Sequence, residues 1–131
     1  MKTVFDDLGR DPTANEIVTY VYYFMVKQGK RSFNEGRCVY RSPEGLACAV
    51  GCLIDDETAA AWDAMVEFNP FSEQIQGKGI TKLKDQIPDG HWMRDNMYLL
   101  MELQVIHDKE KNWEDGSVYS KILDAQNENS I

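Results

Sequence analysis

The chain has 131 residues, 43% of them hydrophobic and 27% charged: one domain's worth of sequence, with apolar side chains enough for a single core. A net charge of -8 repels a phosphate backbone and an anionic membrane, which argues against general nucleic-acid binding. No apolar run reaches the roughly 18 residues of a membrane span, and three clustered cysteines are too few for a disulfide framework, so the expectation is a single domain over residues 1–131, with reduced thiols, in the cytoplasm.

The charge is unevenly placed. Residues 1–54 carry 7 Lys and Arg against 6 Asp and Glu, a net of +1, whereas residues 55–131 carry 7 against 16, a net of -9. Within residues 27–41, Lys27, Lys30, Arg31, Arg37 and Arg41 stand against Glu35 alone. That local excess in an acidic chain marks a candidate anion site, although charge runs are more often solvated surface.

In chain order, "TANE" at 13–16 has the form of a capping box and predicts a helix starting there. At 100° per residue Ile17, Val18, Val21, Phe24, Met25 and Gln28 share a broad inward face, Glu16, Thr19, Tyr23 and Lys27 share a narrower polar one, and Gly29 is placed to end the helix. "RSPEG" at 41–45 sets Pro43 and Gly45 at the second and fourth positions of a type I turn, between "CVY" and a short apolar run, and predicts a small β-hairpin. Alternation along its first strand puts Cys38 and Tyr40 on one face and Arg37, Val39 and Arg41 on the other. The run after Leu46 reads as a strand passing into helix near Cys48. "DDETAAAWDAMVEF", acidic at its start and rich in alanine, predicts a second helix from about Asp56 to Phe68, stopped by Pro70.

Residues 72–89 read as a long irregular connection with a short helix or strand around 80–84. A third helix is expected over His91–Glu110. Met93, Met97, Leu100, Gln104 and His107 share one of its stripes, so Gln104 and His107 continue a buried face. "DG" at 115–116 ends the next loop, Val118, Ile122 and Ala125 form the stripe of a last helix, and residues 126–131 read as a frayed tail. The fold class expected is α+β, a mainly helical single domain with a small β-hairpin.

Three groupings of residues could carry chemistry. Cys38, Cys48 and Cys52 with His91 or His107 are zinc donors in kind, but they lack the matched short gaps of zinc knuckles. Ala49, Val50, Leu53 and Ile54 around them suit cysteines buried as small hydrophobes, so no metal or other cofactor is expected. Cys48 as nucleophile, His107 as base and Gln104 as oxyanion donor make a Cys-His hydrolase reading. Asp108, about 100° round the helix from His107, is not an obvious orienter of that ring. The plainer alternative makes Gln104 and His107 satisfied interior polar groups that tie the helix to a loop. The third grouping is Arg31, Arg37 and Arg41 with Phe33 and Tyr40. Guanidinium forks pair with phosphate and aromatic rings stack on bases, so this set suits a nucleotide-like ligand, without any P-loop or dinucleotide fingerprint. Against it stands neutralisation of the arginines by the acidic second half.

"CVYRSPEGLACAVGCLIDDE" at 38–57, "LQVIHD" at 103–108 and Trp113 resemble a family of small, uncharacterised bacteriophage and bacterial proteins with C-x-Y-R, C-A-V-G-x-L-I and L-Q-x-x-H-D motifs. The likeness spans about residues 17–123 and singles out Cys38, Tyr40, Arg41, Gly45, Cys48, Gly51, Gln104, His107, Asp108 and Trp113. Cys52 stands where alanine is as readily expected. The resemblance supplies no activity but implies a phage context, in which small acidic proteins often act against host defences. The expected function is a non-enzymatic, homo-oligomeric sponge for a small phosphorylated ligand such as a host immune signal, working in the host cytoplasm. Arg31, Phe33, Arg37, Tyr40, Arg41, Gln104, His107 and Asp108 would line its site. The alternatives are the Cys-His hydrolase, an acidic inhibitor that binds a host nucleic-acid-binding defence protein, and a structural or regulatory phage protein.

Overall fold

The capping box forms as its residues predict. In a computed structural model of the chain, which describes residues 1–34, 37–66 and 86–129, Thr13 Oγ1 accepts from Glu16 N at 3.1 Å and Glu16 Oε1 accepts from Thr13 N at 2.9 Å. Helix α1 runs from there over Ala14–Gln28 and ends at Gly29, whose φ of 74° lets its N–H turn back to Met25 O at 2.8 Å. Ile17, Val18, Val21 and Met25 point inward and are fully buried.

The other helices are α2 (Asp56–Val66), α3 (Trp92–Asp95), α4 (Met97–Asp108), α5 (Glu110–Glu114) and α6 (Val118–Asn129). Val118, Ile122 and Ala125, buried on one stripe of α6, meet both α1 and α4 and close the core with Met93, Leu100 and Leu103. The chain's start is stitched on by a single bridge, Thr3 with Ile54, and by Val4 N donating to Leu53 O at 2.9 Å. Among the described residues no helix is long and apolar enough to cross a membrane.

The α+β class is corrected by this architecture: the protein is mainly helical. The turn at Ser42–Gly45 does form, with Gly45 N donating to Ser42 O at 2.9 Å and Gly45 at φ 88°, but no strand pair extends from it. Only one isolated bridge, Arg41 with Ala47, spans the predicted hairpin, and the sole ladder among the described residues is the two-residue pairing of Phe33–Asn34 (β1) with Arg37–Cys38 (β2). The physical reason lies in burial: Val39 and Tyr40 are both inside, so the in-out alternation of a half-buried strand is absent. After the turn, residues 47–50 are all buried and lead into a short 3-10 turn at Gly51–Leu53, neither strand nor α-helix.

Two further expectations change. The single third helix is broken into α3, α4 and α5 at Asn96 and Lys109. The last helix continues through Asn129, past the point where fraying was expected. The end of α2 at Phe68, the stop at Pro70 and the element expected at 80–84 lie outside the described residues.

Candidate functional site

The end of α4 carries most of the buried polar chemistry. Leu100, Leu103 and His107 lie on its inward stripe, so the imidazole enters the core fully buried beside Gln104 and Asp108. Backbone Ser32 N donates to His107 Nε2 at 3.2 Å. A nitrogen that accepts carries no proton, so the ring proton sits on Nδ1, which lies 2.8 Å from Asp108 Oδ1. The same Asp108 oxygen accepts from Gln104 Nε2 at 2.8 Å, and Gln104 Oε1 accepts from Val50 N at 3.0 Å.

One network therefore binds two separate stretches of chain, around Ser32 and Val50, to one helix. Asp108, not an obvious orienter of His107 from its spacing, does meet that ring. Asp108 is the last residue of α4, and the chain leaves the helix at Lys109, so its carboxylate folds back over the final turn. The pair has the form of a catalytic His-Asp couple, yet its outward nitrogen serves a backbone amide.

Three side chains cap the carbonyls that α4 leaves open. Asn112 Nδ2 donates to Ile106 O, Trp113 Nε1 to His107 O and Arg31 Nη1 to Asp108 O, each at 2.8 Å. Arg31 adds a positive charge at the negative end of the helix dipole. Its guanidinium lies 4.2 Å from the centre of the Phe33 ring, and Phe33 is exposed on the protein surface.

Ser32 is wholly buried. Its hydroxyl lies 2.9 Å from Val39 O and 3.1 Å from Leu46 O, and its one proton serves either. Gln28 makes a matched pair with the backbone of Ala47: Nε2 donates to Ala47 O at 2.8 Å and Ala47 N donates to Oε1 at 2.9 Å. Gln28 and Ser32 thus clamp the backbone at Leu46 and Ala47, alongside the short β1–β2 ladder and the Arg41–Ala47 bridge.

Tyr40 and Arg41 are held by α2. Asp63 Oδ1 accepts from Tyr40 N at 2.8 Å and Asp63 Oδ2 from Arg41 N at 3.1 Å. The Tyr40 ring packs edge-on against Trp62, and burial, with the nearby Cys48, Asp108 and Asp63 charges adding, pushes its hydroxyl well above the usual phenol range. Arg41 Nη2 donates to Ile54 O at 3.1 Å, and Nε makes an off-line ion pair with Asp56 Oδ1 at 2.9 Å.

Cys48 is fully buried. Its sulfur accepts from Gly51 N at 3.2 Å, and burial first, then the Asp108 charge, drives its thiol well above the normal range. Burial likewise raises the thiol of Cys52, which donates to Ala49 O at 3.1 Å. A nucleophilic cysteine needs the opposite shift and an accessible sulfur. Among the described residues there is no group of three or more His, Cys, Asp or Glu arranged to hold a metal. Gly51 sits where the chain crosses itself: a Cβ there would lie 3.0 Å from Tyr40 C and 3.1 Å from Cys48 Sγ, and closer still to Tyr40 O.

Of the residues expected to line an anion site, the structure brings Gln104, His107 and Asp108 together with Arg31; it buries the first three, leaves Arg31 half-buried, as it does Arg41, and exposes Phe33. Tyr40 and Arg41 lie with α2, and the side chain of Arg37 is outside the description. Sequence reasoning missed Ser32, Asn112 and Asp63. Gln28 and Trp113 were in view, the first as an inward position on α1 and the second as a matching residue, without their clamping roles.

A further groove lies along the outer face of α1. It has a volume of ≈620 Å³ and is lined by Phe5, Thr19, Tyr20, Tyr23, Phe24 and Lys27, among others. Comparisons with protein-family models, with curated proteins and with solved structures find no match to this chain.

Proposed function

We propose that the protein is a non-enzymatic binder of a small phosphorylated ligand, gripped at Arg31 against Phe33, and that it works as a homo-oligomer. In a phage context the ligand would be a host immune signal held out of circulation. The observation that carries this reading is the state of Arg31. Among the described residues it pairs with no carboxylate, one edge of its fork is fixed on the last carbonyl of α4, and its flat face rests on an exposed phenyl ring. A guanidinium so held has lost little further freedom to give up on meeting a phosphate, and the ring beside it offers a surface for a base. The buried thiol, and an imidazole whose nitrogens are both engaged, speak for binding over hydrolysis.

Calorimetric titration with adenosine 5′-monophosphate and with pyrophosphate tests it. Arg31→Gln keeps a donor for the Asp108 carbonyl and removes the charge, so it separates binding from stability. Saturable binding that weakens with salt and falls at least tenfold in Arg31→Gln is expected. Absence of binding at millimolar probe, or binding that the variant leaves untouched, overturns the proposal.

A further inference from the structure

The outer face of α1 is unusual for a helix whose other side is wholly buried. Tyr23 is 66% exposed and Val26 47%, and beside them Tyr20 and Phe24 are stacked at 6.3 Å with Phe5 edge-on to Tyr20 at 5.7 Å. These rings line the groove already described, with Glu16 at one end and Lys27 at the other. An aromatic stripe of this kind on a surface marks a contact site.

The order of residues on the stripe says what fits it. If a second α1 is laid antiparallel about a two-fold axis level with residues 21 and 22, Tyr20 comes opposite Tyr23, Thr19 opposite Phe24 and Glu16 opposite Lys27, each twice. Ring meets ring in the middle and opposite charges meet at both ends. Glu16 has room for the lysine: Oε1 accepts from Arg10 Nη1 and Thr13 N, while Oε2 accepts only from Arg10 Nη2 among the described residues. Arg10 then makes the carboxylate a bridge between two cations. A parallel pair would instead set lysine against lysine.

We infer that α1 is a self-complementary surface through which two copies of this chain associate antiparallel, Tyr20 against Tyr23 and Glu16 against Lys27. This gives a surface to the oligomer in the proposed function and is independent of the Arg31 ligand. A contact of one helix face lies at the small end of specific interfaces, so the dimer dissociates on dilution.

Sedimentation velocity over a hundredfold range of concentration reads the association. The wild type is expected to move from monomer to dimer, Tyr23→Glu to stay monomeric with an unchanged helical circular dichroism, and Lys27→Glu to weaken the dimer at least tenfold. Asn15→Lys added to Lys27→Glu restores the end-to-end attraction and should recover the dimer. Register is read separately with Tyr20→Cys and Tyr23→Cys chains, each in a Cys38→Ser background: the mixture should cross-link on oxidation and either chain alone should not. A wild type that stays monomeric throughout, a dimer indifferent to Tyr23→Glu, or cross-linking of one chain with itself overturns the inference. Repeating the pyrophosphate titration on Tyr23→Glu shows whether the Arg31 site stands or falls on its own.

Discussion

Replacing Gln104 with glutamate changes one nitrogen to oxygen and should expose how tightly the buried network is drawn. The new carboxyl can still accept from Val50 N, but it meets Asp108 Oδ1 where the amide donated at 2.8 Å. Two carboxylates at that separation repel by about 6 kcal/mol at an effective dielectric of 20. Taking up a proton costs less: holding a group of ordinary pKa near 4.3 protonated at pH 7 requires about 3.7 kcal/mol. Protonation therefore wins, and it restores a donor to Asp108.

The folded-state pKa of this carboxyl is raised above its unfolded value, so the variant gains stability relative to wild type as pH falls. The deficit should be near 4 kcal/mol at pH 7 and about 1 kcal/mol at pH 5, a slope of about 1.4 kcal/mol per pH unit. Urea unfolding followed by tryptophan fluorescence, with wild type alongside at both pH values, measures it. A deficit below about 0.5 kcal/mol at pH 7, or one equal at the two pH values, would refute the reasoning.

Gly51→Ala drives a methyl group into the Tyr40 carbonyl, a backbone atom that cannot swing aside, and should cost at least about 3 kcal/mol in thermal or urea unfolding. Gly45→Ala meets open space and pays only for its positive φ, about 1–2 kcal/mol. Glu16 is held at a pKa of about 2, chiefly by its bond from Arg10 and then by Thr13 N. The stability it lends to the start of α1 should be fully present above its unfolded value near 4.3 and vanish as pH falls through about 2. Amide shifts of Thr13 and Glu16 in acid follow this, and Glu16→Gln should remove the titration. Cys48 and Cys52 should react with a thiol reagent only at the rate at which the protein opens, as read by mass spectrometry of labelled peptides; fast labelling of either in the native protein would contradict their burial.

Much of the helical frame is legible in the sequence, because it is written locally. The Thr13–Glu16 box and Gly29 bound α1 through hydrogen bonds that span three or four residues, and the stripe Met93, Leu100, Gln104, His107 places two polar groups inside from periodicity alone. Residues 30–54 are another matter. Their path is set by partners far along the chain, Asp63 for Tyr40 and Arg41, Gln104 for Val50, His107 for Ser32, and no local pattern announces such pairings. Strand alternation misleads at Val39 and Tyr40 because that segment is buried on both sides. The role of Asp108 escapes periodicity for a geometric reason: angular spacing on an ideal helix does not hold for its final residue, whose side chain can fold back over the end.

The reach of the Ser32–His107 bond has a bearing on how the protein is born. Its two ends are 75 residues apart, so during synthesis the early half of the chain waits for α4 to leave the ribosome before its own loop can be pinned. Until then α1 can coil, and Gln28 and Asp63 are already at hand to hold Ala47, Tyr40 and Arg41. Ser32 and Val50, whose partners His107 and Gln104 come last, are the points that close only when α4 arrives.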